Sequence, residues 1–296
     1  GRARDAEAAW LPVIEDDPLH PGDHAVVHDA SLELLKLYST EDRWEELRDV
    51  LWNAYERAGP LDRITLLSMR IRSELERISP EVAIVDLEKY YAADPDDHEA
   101  LRALARVEMA LGRKEDADRH FRLLLELEPE DPRAWRDYLT MLHDEGEEDA
   151  WTNALALVPP EAETEPEIWR FRGLRKERDG DWKGAAEDYR QALERNPFLT
   201  SAHYRLAMVE ERLGNRETAA EHRKRADTLR DARSELRLAY NDLLDADIAR
   251  AGQIQKENDK PPPSMPEVMK RLGNVCETLG MFRIAESWRS LAIQRL

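Results

Sequence analysis

The sequence predicts an all-α chain, a solenoid of antiparallel helix hairpins stacked one on the next. Three observations predict it. Gly112, Gly146, Gly180 and Gly214 are spaced by 34 residues, and Gly280 joins them after an irregular stretch. Apolar and small residues recur at fixed offsets from these glycines. The chain has 296 residues, more than one compact core usually holds, whereas a stack of small units lengthens without enlarging any core.

Each glycine follows one apolar helical run and precedes a second, so it can take a positive φ and end the first helix of a pair. Eleven residues before the glycine stand Leu101, Trp135, Trp169 and His203, with Met269 in the last unit. Five residues after it stand Ala117, Trp151, Ala185, Ala219 and Ala285; the small residues allow close helix approach. Nine residues after it come Phe121, Leu155 and Tyr189, then Arg223 and Arg289, where the column loses its apolar character. Pro129 and Pro197 close two units, and Pro95 closes an upstream unit after Ala83, Leu87 and Tyr90. The aromatic members of these columns are expected to fill the space between pairs.

These residues resemble the tetratricopeptide repeat. One unit supplies Trp169, Gly173, Gly180, Ala185, Tyr189, Ala192 and Pro197; the last supplies Met269, Leu272, Gly273, Gly280, Ala285 and Ala292. Units fall at about 28–63, 64–97, 98–131, 132–165, 166–199, 200–233, 234–265 and 266–296, with a half unit near 5–18 around Trp10. The resemblance covers nearly the whole chain and implies a single right-handed superhelix over 1–296. An unrelated helical bundle is the alternative, and four equally spaced glycines argue against it.

Three places break the period. His20, Pro21, Gly22 and Asp23 separate the first half unit from the rest, and Asp23 is placed to cap a long helix through Leu34 and Leu37. In unit 132–165 Pro159 and Pro160 arrive early, so a short second helix and a break near 159–166 are expected, followed by acidic Glu161, Glu163, Glu165 and Glu167. From 216 to about 256 there is no proline, and no glycine before Gly252, so Leu229, Leu236, Leu243 and Ile248 can carry one or two long helices. Lys256 to Lys260 and then Pro261, Pro262, Pro263 and Ser264 read as an exposed loop near 256–266.

The chain carries 44 Lys plus Arg against 63 Asp plus Glu, a formal net charge of −19. That field argues against nucleic acid. By resemblance, positions five, six and nine of each unit face a concave groove. Over seven units, omitting 234–265, nine of those 21 positions are Lys or Arg and two are acidic, where the chain average gives about three and about four. A basic groove in an acidic protein is therefore expected, accepting an acidic segment or a C-terminal carboxylate through Arg72, Arg102, Arg106, Arg136, Arg170 and Arg205, with apolar contact from Phe171, Tyr204 and Met208. The competing reading is that these arginines pair within the chain, with Glu99, Asp137 or Glu177. The family's chaperone-tail clamp is matched only in part: Lys270 and Asn274 fit its first pair, while Arg106 and Asp137 stand where Asn is required.

No catalytic constellation is visible, and no cofactor is expected. The single cysteine, Cys276, sits at an apolar repeat position, which favours a core role over a nucleophile. His20, His24 and His28 could share a helix face with Asp29, but a surface helix accounts for them as well as a metal does, and no metal is expected. Gly173 lies in no phosphate loop, since no strand precedes it and no Gly-Lys-Ser or Gly-Lys-Thr follows. No apolar run is long enough to span a membrane. The leading expectation is a non-catalytic protein-interaction scaffold, with self-association through uncapped terminal repeats left open. The alternative is the repeat region of a larger enzyme or regulator, since the chain starts at Gly1 and stops within a helical pattern at Leu296. With no targeting signal visible, the cytoplasm is only a default.

Overall fold

The computed structural model describes residues 3–15, 24–41, 43–57, 60–75, 78–250 and 264–293. Pro18, His20, Asp23 and residues 251–263, which include 256–263 of the expected loop, lie outside the described residues, as do the side chains of His24, His28 and Asp29. Among the described residues there is no strand. The fold is an α-solenoid of helix hairpins: α1 (Ala3–Glu15), α2 (His24–Thr40) with α3 (Trp44–Arg57), α4 (Pro60–Leu75) and α5 (Pro80–Ala93), then α6 (His98–Ala110), α7 (Lys114–Leu127), α8 (Pro132–Asp144) with α9 (Glu148–Leu157), α10 (Pro166–Arg178) with α11 (Trp182–Arg195), α12 (Thr200–Arg212), α13 (Arg216–Arg250), and α14 (Met265–Thr278) with α15 (Phe282–Ile293).

All five turn glycines have positive φ, from 72° at Gly112 to 86° at Gly214. Each turn repeats two backbone bonds. In the α10–α11 turn Gly180 N–H donates to the Glu177 carbonyl at 3.2 Å, and Asp181 N–H reaches back to the Lys176 carbonyl at 2.9 Å. This is the Schellman arrangement, which satisfies the last carbonyls of the helix and needs a left-handed residue at its centre. A Cβ at Gly180 would meet nothing within 4 Å, so the backbone angle alone demands glycine here. At the other ends, Asp131 and Asp181 accept from Arg133 N–H and Gly184 N–H, both at 2.9 Å, and cap α8 and α11.

The chain divides into two compact units, each described by itself. Unit 1 comprises Gly1–Val107 with Ala232–Leu296; unit 2 is Glu108–Asp231. In unit 2 the core is built by adjacent hairpins: Ala185, Ala186, Tyr189 and Ala192 pack with Ala202, Leu206 and Val209. The repeating column behaves as one device. Trp135 Nε1–H donates to the Pro129 carbonyl (2.7 Å), Trp169 Nε1–H to the Glu163 carbonyl (2.8 Å), and His203 Nε2 stands 3.1 Å from the Pro197 carbonyl. Each ring reaches the carbonyl six residues upstream, tying the helix start to the preceding linker. The α9 helix is short, with ten residues, and Pro160–Thr164 forms a 3-10 turn whose Ala162 is fully buried. Trp151 of α9 meets Phe171 of α10 edge-on at 6.0 Å.

In unit 1, α1 is held by a charged knot. Arg43 pairs with Glu7 (2.8 Å), Glu46 (3.1 Å) and Glu41 (3.3 Å), and Tyr38 donates to Glu7 (2.9 Å). Burial pushes the Glu41 carboxyl up to about 8 even beside Arg43. A second core joins Ile64, Leu67 and Ile71 of α4 to Leu236, Tyr240 and Leu243 of α13 and to Val268, Leu272, Trp288 and Leu291 of α14 and α15. Cys276 is fully buried within it. Across the expected unit boundary at 233–234, α13 continues unbroken for 35 residues, about 52 Å, to Arg250, as one long helix. Two seven-residue series, Leu229, Leu236, Leu243 and Ala232, Ala239, Ala246, keep one face of it buried, and no glycine or proline interrupts it.

Candidate partner-binding surface

Helical spacing puts positions five, six and nine of a unit, i, i+1 and i+4, on adjacent stripes of its first helix. In unit 2 this brings Arg136, Arg170 and Arg205 to corresponding places on α8, α10 and α12, but each meets a carboxylate. Arg136 Nε donates to Asp137 at 2.8 Å and its Nη1 lies 3.5 Å from Glu165. Burial opposes the Arg136 charge, yet Asp137 and Glu165 outweigh burial and hold its pKa above the ordinary arginine value. Arg170 pairs with Glu167 and lies over the Phe171 ring, 4.2 Å from its centroid. Arg205 approaches Glu177 at 3.4 Å, and Glu177 also accepts from the Tyr189 hydroxyl at 2.8 Å. These residues therefore form a charge-balanced lattice rather than a bare basic strip. Tyr204, 55 % exposed, and half-buried Met208 are the expected apolar contacts that remain accessible.

Two expectations need correction. Phe171 is fully buried against Trp151 and under Arg170, so it offers nothing to a partner. Arg102 is 2 % exposed and its Nη2 donates to Glu99 at 2.8 Å. Packing filled these positions, which the repeat spacing alone assigns to the groove. The pairings with Glu99, Asp137 and Glu177 are those of the competing reading. Arg106 is half-buried, in unit 1.

Unit 1 shows a different groove at the same repeat positions. A cavity of about 380 Å³ opens between α2, α3 and α4. Leu32, Leu35, Trp44, Leu47, Leu51, Met69 and Ile78 make its apolar wall. Among the described residues its charged lining is Lys36 and Arg72, both exposed. Leu32, Lys36, Met69 and Arg72 are first-helix positions that the spacing predicts. Trp44, Leu47 and Ile78 are not: they belong to the second helix or the next linker, and no repeat position marks them as groove residues.

Among the described residues, no group of three or more His, Cys, Asp or Glu is disposed to hold a metal, and no helix is long and apolar enough to cross a membrane. Comparison with known proteins gives two family matches, both described as tetratricopeptide repeat, over residues 79–142 and 172–234. No curated protein matches the chain. Among solved structures, the chain is similar to MamA from Desulfovibrio magneticus RS-1, at 23% identity and TM-score 0.43, over 57% of this chain and 96% of that one. It is also similar to Pseudomonas aeruginosa pilF, at 16% identity and TM-score 0.45, over 78% and 90% of the two chains. A third likeness is to a chain of the APC/C hetero-tetramer Cut9–Hcn1, at 14% identity and TM-score 0.48, over 97% and 53%. With the repeated glycine turns and the paired helices, residues 79–142 and 172–234 are tetratricopeptide repeats.

Proposed function

We propose that the chain is a non-catalytic scaffold that holds protein partners, and that its groove between α2 and α4 takes an acidic, partly apolar peptide segment. The observation that carries this reading is the cavity wall of unit 1, where seven apolar side chains surround a space whose described charged lining is Lys36 and Arg72. An apolar wall with a few polar anchors is the usual form of a recognition site. Two exposed lining cations favour an anionic segment, and the chain's net charge of −19 makes such a patch a local exception. The arginines of unit 2 support it less, because an incoming acid would have to displace Asp137, Glu165, Glu167 and Glu177.

The test uses a fluorescein-labelled peptide of alternating Glu and Leu, measured by anisotropy at two salt concentrations. Binding should weaken with salt, and the double variant Lys36→Glu/Arg72→Glu should reduce affinity at least tenfold, about 1.4 kcal/mol, with unchanged helix content. Equal affinity for a Lys-Leu peptide, or an unchanged affinity in the double variant, rules the reading out.

A further inference from the structure

The unit at 200–233 departs from the repeat at two positions that meet in space. Eleven residues before the turn glycine it has His203, where the two preceding units have Trp135 and Trp169. Eight residues after the glycine it has His222, where they have Ala154 and Asp188. Among the five units with a glycine turn, no other carries an imidazole at both positions. The repeat asks of the first position only a donor for the linker carbonyl, and an indole N–H supplies that. His203 meets the same demand with Nε2, 3.1 Å from the Pro197 carbonyl, and has a second ring nitrogen to spare. That Nδ1 lies 2.9 Å from Nδ1 of His222.

This arrangement has the features of a metal-binding pair. A histidine that ligates through one nitrogen characteristically donates its other N–H to a backbone carbonyl or a carboxylate, which fixes the tautomer and aims the free lone pair. The Pro197 carbonyl does this for His203. Two nitrogens bound to one ion at roughly 2.0–2.1 Å stand about 2.9 Å apart at a right angle and about 3.3 Å apart at the tetrahedral angle, so the observed separation needs little change. His203 is 8 % exposed and held in place, whereas His222 is half-buried and gives access from solvent. The nearby Glu210 is committed elsewhere: one oxygen accepts from Arg190 and the other from Asn215 at 2.6 Å. No third His, Cys, Asp or Glu joins the pair among the described residues, so water would fill the remaining positions.

We propose that His203 and His222 bind one divalent transition-metal ion of the kind imidazole prefers, such as Zn²⁺, through their two Nδ1 atoms, and that the ion ties α12 to α13. In the ion-free pair one Nδ1–H donates to the other Nδ1. On binding, His222 moves its proton from Nδ1 to Nε2 through solvent, so both rings ligate as neutral imidazoles and no net proton is released. The stability of the α12–α13 hairpin then follows the metal available.

Calorimetric titration of the whole chain with Zn²⁺ at pH 7.5, with excess Mg²⁺ to occupy surface carboxylates, tests the proposal. One saturable equivalent is expected. Zn²⁺ should also raise the thermal midpoint and slow hydrogen exchange in α12 and the first turns of α13. His222→Gln should weaken Zn²⁺ at least tenfold and remove the thermal shift, with unchanged circular dichroism. His203→Gln should do the same, and His222→Gln carries the test alone if that variant does not fold. His20→Gln/His24→Gln/His28→Gln removes the histidines spaced by four near the start of the chain and should leave the binding intact. Three results overturn the proposal: no saturable heat with Zn²⁺ in millimolar excess, loss of the binding in the triple variant, or equal affinity in His222→Gln, which would identify an adventitious ion only.

Discussion

The two units reach a buried core by different routes. In unit 2 the packed residues of one cluster all lie between Ala185 and Val209, so each hairpin is completed by the next in sequence. In unit 1 one cluster joins Ile64 to Trp288 and Leu291, and Arg283 reaches Glu56 across 227 residues. The cost of ordering a local pair is met by contacts that form nearby, whereas the closure of unit 1 depends on segments the chain must bring together from afar. The difference also marks the surfaces. Unit 2 neutralises its regular arginine stripe with neighbouring acids, while the more irregular joints of unit 1 leave two cavities with arginine or lysine among their described lining.

The largest test of this contrast is Trp288→Ala. The ring is fully buried in the core shared by α4, α13, α14 and α15, and truncating such a side chain costs about 3–5 kcal/mol. Hydrogen exchange should show lost protection in α14 and α15 and also in α4, with α10 and α11 still protected. If α4 keeps its protection while α15 loses it, the closure of unit 1 is not the cooperative unit described.

A smaller effect is expected from Gly173→Ala. An added Cβ would stand 2.7 Å from the buried Tyr189 ring, so overpacking of about 1–3 kcal/mol opposes the ~1 kcal/mol that alanine gains in a helix. The corresponding Gly273→Ala in unit 1 meets the exposed Arg289 side chain at 2.8 Å and the Ala285 carbonyl at 3.1 Å. Arg289 can swing away, so Gly273→Ala should be milder. Urea midpoints of the two variants compare them directly, and an equal loss would mean that Tyr189 yields as readily as Arg289.

The smallest effect is a pH dependence confined to unit 2. His203 donates from Nε2 to the Pro197 carbonyl, which leaves its neutral ring with a bare Nδ1; His222 Nδ1 stands 2.9 Å away and can donate to it. Burial, aided by the neighbouring histidine and Arg225, holds the His203 pKa below the ordinary value. Burial and Arg190 likewise outweigh Glu210 and Glu221 at His222. Both folded pKa values are depressed, so the stability from the neutral pair is complete above the unfolded histidine pKa of about 6.5 and is lost as pH falls below it. His222→Gln keeps a donor beside Nδ1 and removes one titrating group. Its urea midpoint should fall less than that of the parent between pH 7.5 and pH 5, and an equal fall would exclude the pair as the source.

Much of the fold was legible because it rests on local rules. Gly112 through Gly280 announce left-handed turns, early Pro159 and Pro160 announce a short α9, and the position of Cys276 announces burial. The candidate site was legible only in part. Lys36 and Arg72 follow from helix spacing, but Phe171 shows its failure: the same spacing puts it in a groove, and Trp151 from the preceding hairpin covers it. At the 233–234 unit boundary the chain runs on as one helix, because a continuous apolar seven-residue pattern, with no breaker before Gly252, outweighs the 34-residue register.

The amino-acid sequence by itself determined the all-helical class, the repeat family and the five turns, because each depends on backbone angles and bonds spanning no more than five or six residues. Only the tertiary structure decided which arginines are spent on internal carboxylates, how α15 covers α4, and where cavities remain. Those outcomes depend on side-chain ends meeting groups from other helices, up to 227 residues away in the chain, and no local pattern encodes such a meeting.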